Sequence, residues 1–244
     1  RSDNFLYLYA KKEKIYHIQH KKYIGGRYSL FSEVGMVPAF LMGLNIKKIK
    51  KNLLIHINKK KSKNFLKSSS INLANLFKSK VFKSVILYNN SPILNNFMEW
   101  YQQLLAESLG KQGKGLLPVI SKIPKDNHSL LQLYLDGPKD KIFYIFDLKS
   151  KKKNKINFKD KNDNINFLNN KSLSKIKDAQ KKAFINILEK KKIPFREFKI
   201  GKIEEQTIGE LFSYLMIETV IVGKLLSVNP FDQPAVDELK KETK

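Results

Sequence analysis

From residue 81 onward, short apolar runs alternate with longer stretches whose apolar positions recur every three or four residues. The runs Val81 to Tyr88, Leu116 to Ile123, Ile142 to Leu148 and Pro194 to Ile200 predict four strands. Helices fill the gaps. Ser91-Pro92 opens one of them, with Ser as N-cap and Pro at the first helical position, and Gly110 closes it. A second spans 173 to 191 and turns Leu173, Ile176, Ala179, Ala183, Ile187 and Leu188 inward. The third, Glu204 to Leu226, is apolar nearly all round, as suits a core or subunit-interface position. Strands alternating with helices predict an α/β fold, a three-layer αβα sandwich on a mostly parallel sheet.

The first 80 residues follow another pattern. Residues 5 to 10 (FLYLYA) and 15 to 19 (IYHIQ) predict two strands from their aromatic and β-branched content. Leu30, Val34, Val37, Phe40, Leu41 and Leu44 have helical spacing, and two further helices are predicted between Ile46 and Lys80, joined at Lys59 to Lys63. The first would turn Ile46, Ile49, Leu53 and Ile57 to the core under a solvated lysine face. Lys149 to Lys171 is polar, rich in Lys and Asn and without periodicity, and is expected to be a surface hairpin or loop.

One carboxylate stands out chemically. Glu107 falls in the last turn of its helix, where the negative end of the helix dipole disfavours the charged form and suits a general base. Gln103 lies one turn back on the same face. Gly25-Gly26 predicts a turn that residues with a Cβ would resist, and Arg27 after it has an open approach to an anion. Ligands of parallel sheets bind beyond the carboxyl ends of the strands, where Glu107 and His128 are expected to meet.

Composition narrows the function classes. The net charge of +25 raises nucleic acid as a partner, yet of 47 basic residues only Arg1, Arg27 and Arg196 are arginines. Readers of base edges use Arg forks, and Phe158 and Phe167 do not interleave regularly with the lysines around them. Nucleic acid is therefore not expected as a partner. Leu211 to Val228 is interrupted by Glu218 and Lys224, so no membrane span is expected either. Without cysteine there are no disulfides or thiolate sites, and the four histidines lack ligand spacing, so no metal or other cofactor is expected. His17, His20 and His56 match no motif and are expected at surface or strand positions. Ser68 to Ser70 lacks the glycines and threonine of a phosphate-cradling loop, and no signal peptide opens the chain, so a cytoplasmic protein is expected.

Four blocks, in order, resemble one family. QQLLAESLGK at 102 to 111 resembles the active-site helix of glucose-6-phosphate isomerases, GGRYS at 25 to 29 their first signature, HSLLQLYLDGP at 128 to 138 their histidine segment, and NPFDQPAVDELK at 229 to 240 their C-terminal signature. The resemblance implies an aldose-ketose isomerase of the short bacterial type acting on a sugar phosphate. It implies Glu107 as the base that moves a proton between adjacent carbons, Arg27 as the cation that stabilises the enediolate, and His128 as the ring-opening group. Lys240 would assist at the ring oxygen, with Gly26, Gln103 and Gln233 contacting substrate. Asp237 and Leu239 depart from the family's usual Glu and Gly.

The family further implies a homodimer whose histidine crosses the interface, and a first domain whose phosphate loop is not found here. On this reading residues 1 to 26 are the tail of that domain, 27 to 80 a helical connector, 81 to 228 the second sugar-isomerase domain and 229 to 244 a segment carrying Lys240. Such a fragment is expected to be nearly inactive by itself. The competing reading is a non-catalytic sugar-phosphate sensing domain of related fold.

Overall fold

The computed structural model describes residues 4–149, 155–157 and 168–243. Its centre is a sheet of four parallel strands, β1 (Ser84–Asn89), β2 (Leu117–Lys122), β3 (Lys141–Leu148) and β4 (Phe195–Ile200), in the order β2-β1-β3-β4. Leu87 sits opposite both Ile120 and Tyr144, and Tyr144 in turn opposite Arg196. The two central strands are the nearly unbroken apolar runs of the sequence, because a strand covered on both faces has no solvent side on which to place polar residues.

Helices cover both faces. In chain order they are α1 (Phe5–Lys12), α2 (Glu33–Leu41), α3 (Ile46–Lys50), α4 (Ile55–Asn58), α5 (Lys60–Lys78), α6 (Asn95–Leu109), α7 (Lys125–Ser129), α8 (Leu131–Asp136), α9 (Leu173–Lys190), α10 (Glu205–Leu225) and α11 (Pro234–Glu242). Helices α5, α6 and α10 pack Leu73, Phe97, Tyr101, Leu104 and Leu215 against Val85, Leu87, Tyr144 and Phe146. On the opposite face α8 and α9 bring Tyr134, Phe184 and Leu188 onto Ile86, Tyr88, Phe143 and Ile145. These are the three layers of the αβα sandwich.

The crossover from β1 to β2 fixes the position of the site. Parallel strands require α6 to run back along the sheet, so it starts near the carboxyl end of β1 and finishes beside the amino end of β2. The Gln102 side chain confirms the direction, donating to the carbonyl of Pro118 at 2.8 Å near the start of β2. At the far end, the Lys122 N–H donates to the Asp126 carboxylate at 2.7 Å and the Tyr88 hydroxyl to Asn127 at 2.8 Å. Gly110 caps α6 as expected, while Pro92–Leu94 forms a 3₁₀ turn before the helix proper.

Several expectations are corrected. Residues 5 to 12 form helix α1, capped by Asn4, whose side chain accepts from the Leu6 N–H at 2.9 Å, and residues 15 to 19 form neither strand nor helix. Aromatic content favours a strand only where a neighbouring strand takes up its backbone groups, and here the segment satisfies them internally as a helix. Helix α2 does not bury its apolar stripe, since Val34, Phe40 and Leu41 are exposed and only Ala39 is buried. The basic helix divides into α3 and α4, with Ile49 buried and Ile57 exposed, and the expected joint at 59 to 63 lies at the start of α5.

Helix α9 is rotated from its expected face. Leu173, Ala179 and Ala183 are exposed, while Phe184 stacks on Tyr88 with ring centroids 4.5 Å apart and Lys181 turns inward to the Asp147 carboxylate. One large ring and one ion pair outweigh two small alanines in choosing the face. Of the polar excursion, residues 150 to 154 and 158 to 167 lie outside the described residues; Lys155 bridges Ser172 in antiparallel fashion.

Candidate active site

Arg27 stands in a 3₁₀ turn, Gly26–Phe31, packed against α6 and the segment after α10. It is 2% exposed, and each N–H of its guanidinium has a protein acceptor. Nε donates to the Ser108 hydroxyl at 2.9 Å. Nη1 donates to Glu107 Oε2 and to Gln233 Oε1, both at 2.9 Å. Nη2 donates to the carbonyls of Pro230 at 2.8 Å and Asp232 at 2.9 Å. The expected open approach to an anion is thus corrected: the five donors join three chain segments far apart in sequence.

Glu107 is held from two directions. Its Oε2 accepts from Arg27 and its Oε1 from the Gln103 amide at 2.9 Å, the one-turn neighbour expected from helical spacing. Each carboxylate oxygen keeps a second lone pair for another donor. Glu107 opens onto a cavity of about 440 Å³, also lined by Lys111, Asp232 and Gln233. A larger cavity of about 660 Å³ opens along β4 between α5 and α10 and contains none of the motif residues.

The shell around Arg27 contains residues that the motifs held but to which no role was given. Tyr28 lies beside Arg27, with its hydroxyl 2.9 Å from Ser108 Oγ and donating to the Pro230 carbonyl at 3.1 Å. Burial pushes the Tyr28 phenol upward, opposed by its contacts to Ser108 and Arg27. The Trp100 indole donates to the Arg27 carbonyl at 3.0 Å. Lys111 reaches Asn229 and Asp232, and its hydrogen bond holds the Asp232 carboxyl below the usual range. Tyr28, Ser108, Lys111 and Asp232 all fall within the quoted blocks, but their partners lie 80 to 200 residues away, so no local spacing could reveal them.

Other expected site residues stand apart. His128 lies in α7 at the carboxyl ends of the strands and is exposed. Glu107 lies at the end of α6, at the opposite edge of the sheet. β2 alone has six residues, so about 20 Å of strand separates the two ends. The expected meeting of Glu107 and His128 within one chain is therefore corrected, since a crossover helix that starts at one sheet edge finishes at the other. Lys240 is on exposed α11, its Nζ 3.9 Å from Asp237, and does not line the Glu107 cavity. At Gly25 and Gly26 a Cβ would meet nothing closer than 3.9 Å and neither φ is positive, so the expected steric need for glycine is absent there.

Ser69 and Ser70 lie in α5, with hydroxyls donating to Glu218 at 2.7 Å and to the Leu66 carbonyl at 2.8 Å, which leaves no serine cradle. His56 is neither at the surface nor in a strand: it packs edge-on against Tyr214 and pairs with Glu210. Among the described residues, no three His, Asp or Glu side chains are grouped to hold a metal ion, and no helix is long and apolar enough to cross a membrane.

No family model matches the chain. Among curated proteins, a glucose-6-phosphate isomerase of Mycoplasmopsis pulmonis is 34% identical, covering 89% of this chain and 52% of that protein. One of Methanocaldococcus jannaschii is 32% identical, covering 89% of this chain and 55% of that protein. The chain spans about half the length of the curated relatives it matches. Among solved structures, a hypothetical protein from Thermus thermophilus superposes with a TM-score of 0.86 at 24% identity, over 98% of this chain and 59% of that one. A glucose-6-phosphate isomerase from Chlamydia trachomatis gives 0.69 at 19% identity, over 93% and 47%. These two show the shared fold. Sequence agreement with several of the curated proteins over nine-tenths of its length leads to one conclusion: this chain belongs to the glucose-6-phosphate isomerase family.

Proposed function

We propose that the chain supplies the base-bearing part of an aldose-ketose isomerase that interconverts glucose 6-phosphate and fructose 6-phosphate. The observation that carries this reading is Glu107, fixed between Arg27 and Gln103 at the edge of a cavity. In the open-chain aldose, Glu107 takes the proton on carbon 2, and the electron pair moves through the carbon framework onto oxygen 1. The enediolate so formed is stabilised by the positive charge of Arg27. Glu107 then returns its proton to carbon 1 as the hydroxyl proton of oxygen 2 passes to oxygen 1, giving the ketose. Gln103 keeps the carboxylate facing the cavity, and Gln233 and the Gly26 backbone contact the sugar.

Ring opening requires His128, which suits proton exchange near neutral pH. The separation of His128 from Glu107 along the sheet supports a homodimer in which each site takes its histidine from the partner subunit. Lys240, two helical turns beyond Gln233, is assigned to the ring oxygen, with α11 moving towards the sugar. The division at residues 26, 80 and 228 is retained: α1 and the following segment, then α2 to α5, then the sheet domain, then the segment that docks on Arg27. The protein is proposed to act in the cytoplasm without nucleic acid or membrane as partner.

The test is fructose 6-phosphate isomerisation by the 244-residue chain alone and by the chain fused to the portion of the Mycoplasmopsis pulmonis relative that it does not match. The fusion is expected to turn over and the chain alone nearly not, and Glu107→Gln in the fusion is expected to lose about 10³-fold in kcat. A fusion that binds sugar phosphate without isomerising it would favour the sensing-domain reading.

A further inference from the structure

Residues 229–233 belong to neither helix nor strand, yet Gln233 must be held accurately to stand beside Glu107. Two cations bracket the segment. Arg27 takes the carbonyls of Pro230 and Asp232, and Lys111 those of Asn229 and Asp232. An ammonium has three N–H donors, and Lys111 Nζ meets three oxygens: the Asn229 carbonyl, the Asp232 carbonyl at 2.5 Å and Asp232 Oδ1 at 2.5 Å. The Lys111 side chain is 8% exposed, while that of Asp232 is 51% exposed. Asn229 and Asp232 are also joined to each other, the Asn229 amide donating to Asp232 Oδ2 at 3.1 Å.

Lys111 follows directly on Gly110, the residue that ends the helix of Glu107. The turn that places the base therefore also seats the segment that carries Gln233. Arg27 and Lys111 share one acceptor, the Asp232 carbonyl, so the two cations grip a single backbone point from different elements.

We infer that Lys111 is a positioning residue of the active site, seating residues 229–233 so that Gln233 meets Arg27 beside Glu107; the inference rests on the isomerase reading for its effect on turnover. Lys111 touches the segment with all its donors and has none left for substrate, so its removal acts through the displaced Gln233 and not through a ligand contact of its own. A misplacement of about 1 Å in such a constellation costs about 10²-fold in rate.

The test compares Lys111→Met, Lys111→Arg and Asp232→Ala in the fused protein, with amide exchange read on the 244-residue chain as well. Lys111→Met is expected to lower kcat about 10²-fold with KM changed less than about threefold, and to speed exchange at 229–236 while β1 and β3 stay protected. Asp232→Ala should reproduce the exchange change and Lys111→Arg should restore part of both. A raised KM at unchanged kcat would assign Lys111 to ligand binding and overturn the inference. So would unchanged exchange at 229–236. If the unsubstituted fusion does not isomerise, the isomerase reading fails, while the exchange result on the chain still decides whether Lys111 seats the segment.

Discussion

The Gln103 amide donates to Glu107 Oε1 at 2.9 Å, one helical turn away, and so fixes the carboxylate from the side opposite Arg27. Gln103→Leu keeps the shape and removes the donor. It is expected to lower kcat about tenfold, far less than Glu107→Gln, because the proton acceptor remains. Steady-state assay of both variants in the fused protein checks the order.

Arg27→Lys replaces a five-donor fork by a three-donor point charge at a buried position with five acceptors. At least two acceptors lose their bond to residue 27, and each of them left buried and unsatisfied costs about 1–3 kcal/mol. Lys is expected to lower the urea midpoint of unfolding as well as kcat. A loss of kcat with an unchanged midpoint would count against the structural part of Arg27's work.

Lys181 and Asp147 form an enclosed ion pair at the carboxyl ends of the strands, with Glu197 3.6 Å from the same ammonium. Lys181→Met removes the only charge balancing two carboxylates there among the described residues, apart from Lys199 on Glu197. A loss of about 3–5 kcal/mol in unfolding free energy is expected, measured by urea titration.

Gly209 lets α10 approach α3 closely, since a Cβ there would lie 2.0 Å from the Ile49 carbonyl oxygen. Gly209→Ala must push the two helices apart and is expected to cost about 1–3 kcal/mol, with Glu107 chemistry little changed because the clash is remote from the cavity. Thermal unfolding alongside kcat separates the two effects.

The Lys111 hydrogen bond lowers the Asp232 carboxyl from its ordinary 3.8, so the folded form holds the carboxylate more strongly than the unfolded one. The stabilisation is complete above 3.8 and is lost as pH falls through the lower folded value. Amide exchange at 229–236 is expected to stay slow at neutral pH and to accelerate, after correction for intrinsic rates, only in acid below that value. Asp232→Asn should abolish this acid step.

How far the sequence could be followed depended on where the determining contacts lie. Helix α6 was legible because its signals are local: Gly110 at its end, an apolar stripe along it and Ser91-Pro92 at the 3₁₀ turn that leads into it. β1 and β3 were legible because burial on both faces leaves continuous apolar runs. Residues 5 to 10 misled, as aromatic content does not say whether a strand partner exists. The grouping of Arg27 with Pro230, Asp232 and Gln233 spans about 200 residues and leaves no periodic trace. The separation of Glu107 from His128, by contrast, follows from the parallel strands alone, once the helix between them is seen as a return path.

A guanidinium whose every N–H is already engaged has no donor to spare; an arriving oxygen must displace an oxygen that is there. One of its neutral occupants is the side-chain amide of Gln233. A neutral carbonyl oxygen offers Arg27 nothing better than that amide, whereas an oxyanion does. On the proposed isomerase reading, Gln233 is a resident competitor that a ground-state sugar would not evict and a charged intermediate would. On that reading the discrimination between ground state and intermediate is set by which oxygen wins that exchange, and shortening Gln233 to Ala should weaken it by letting Arg27 grip both alike.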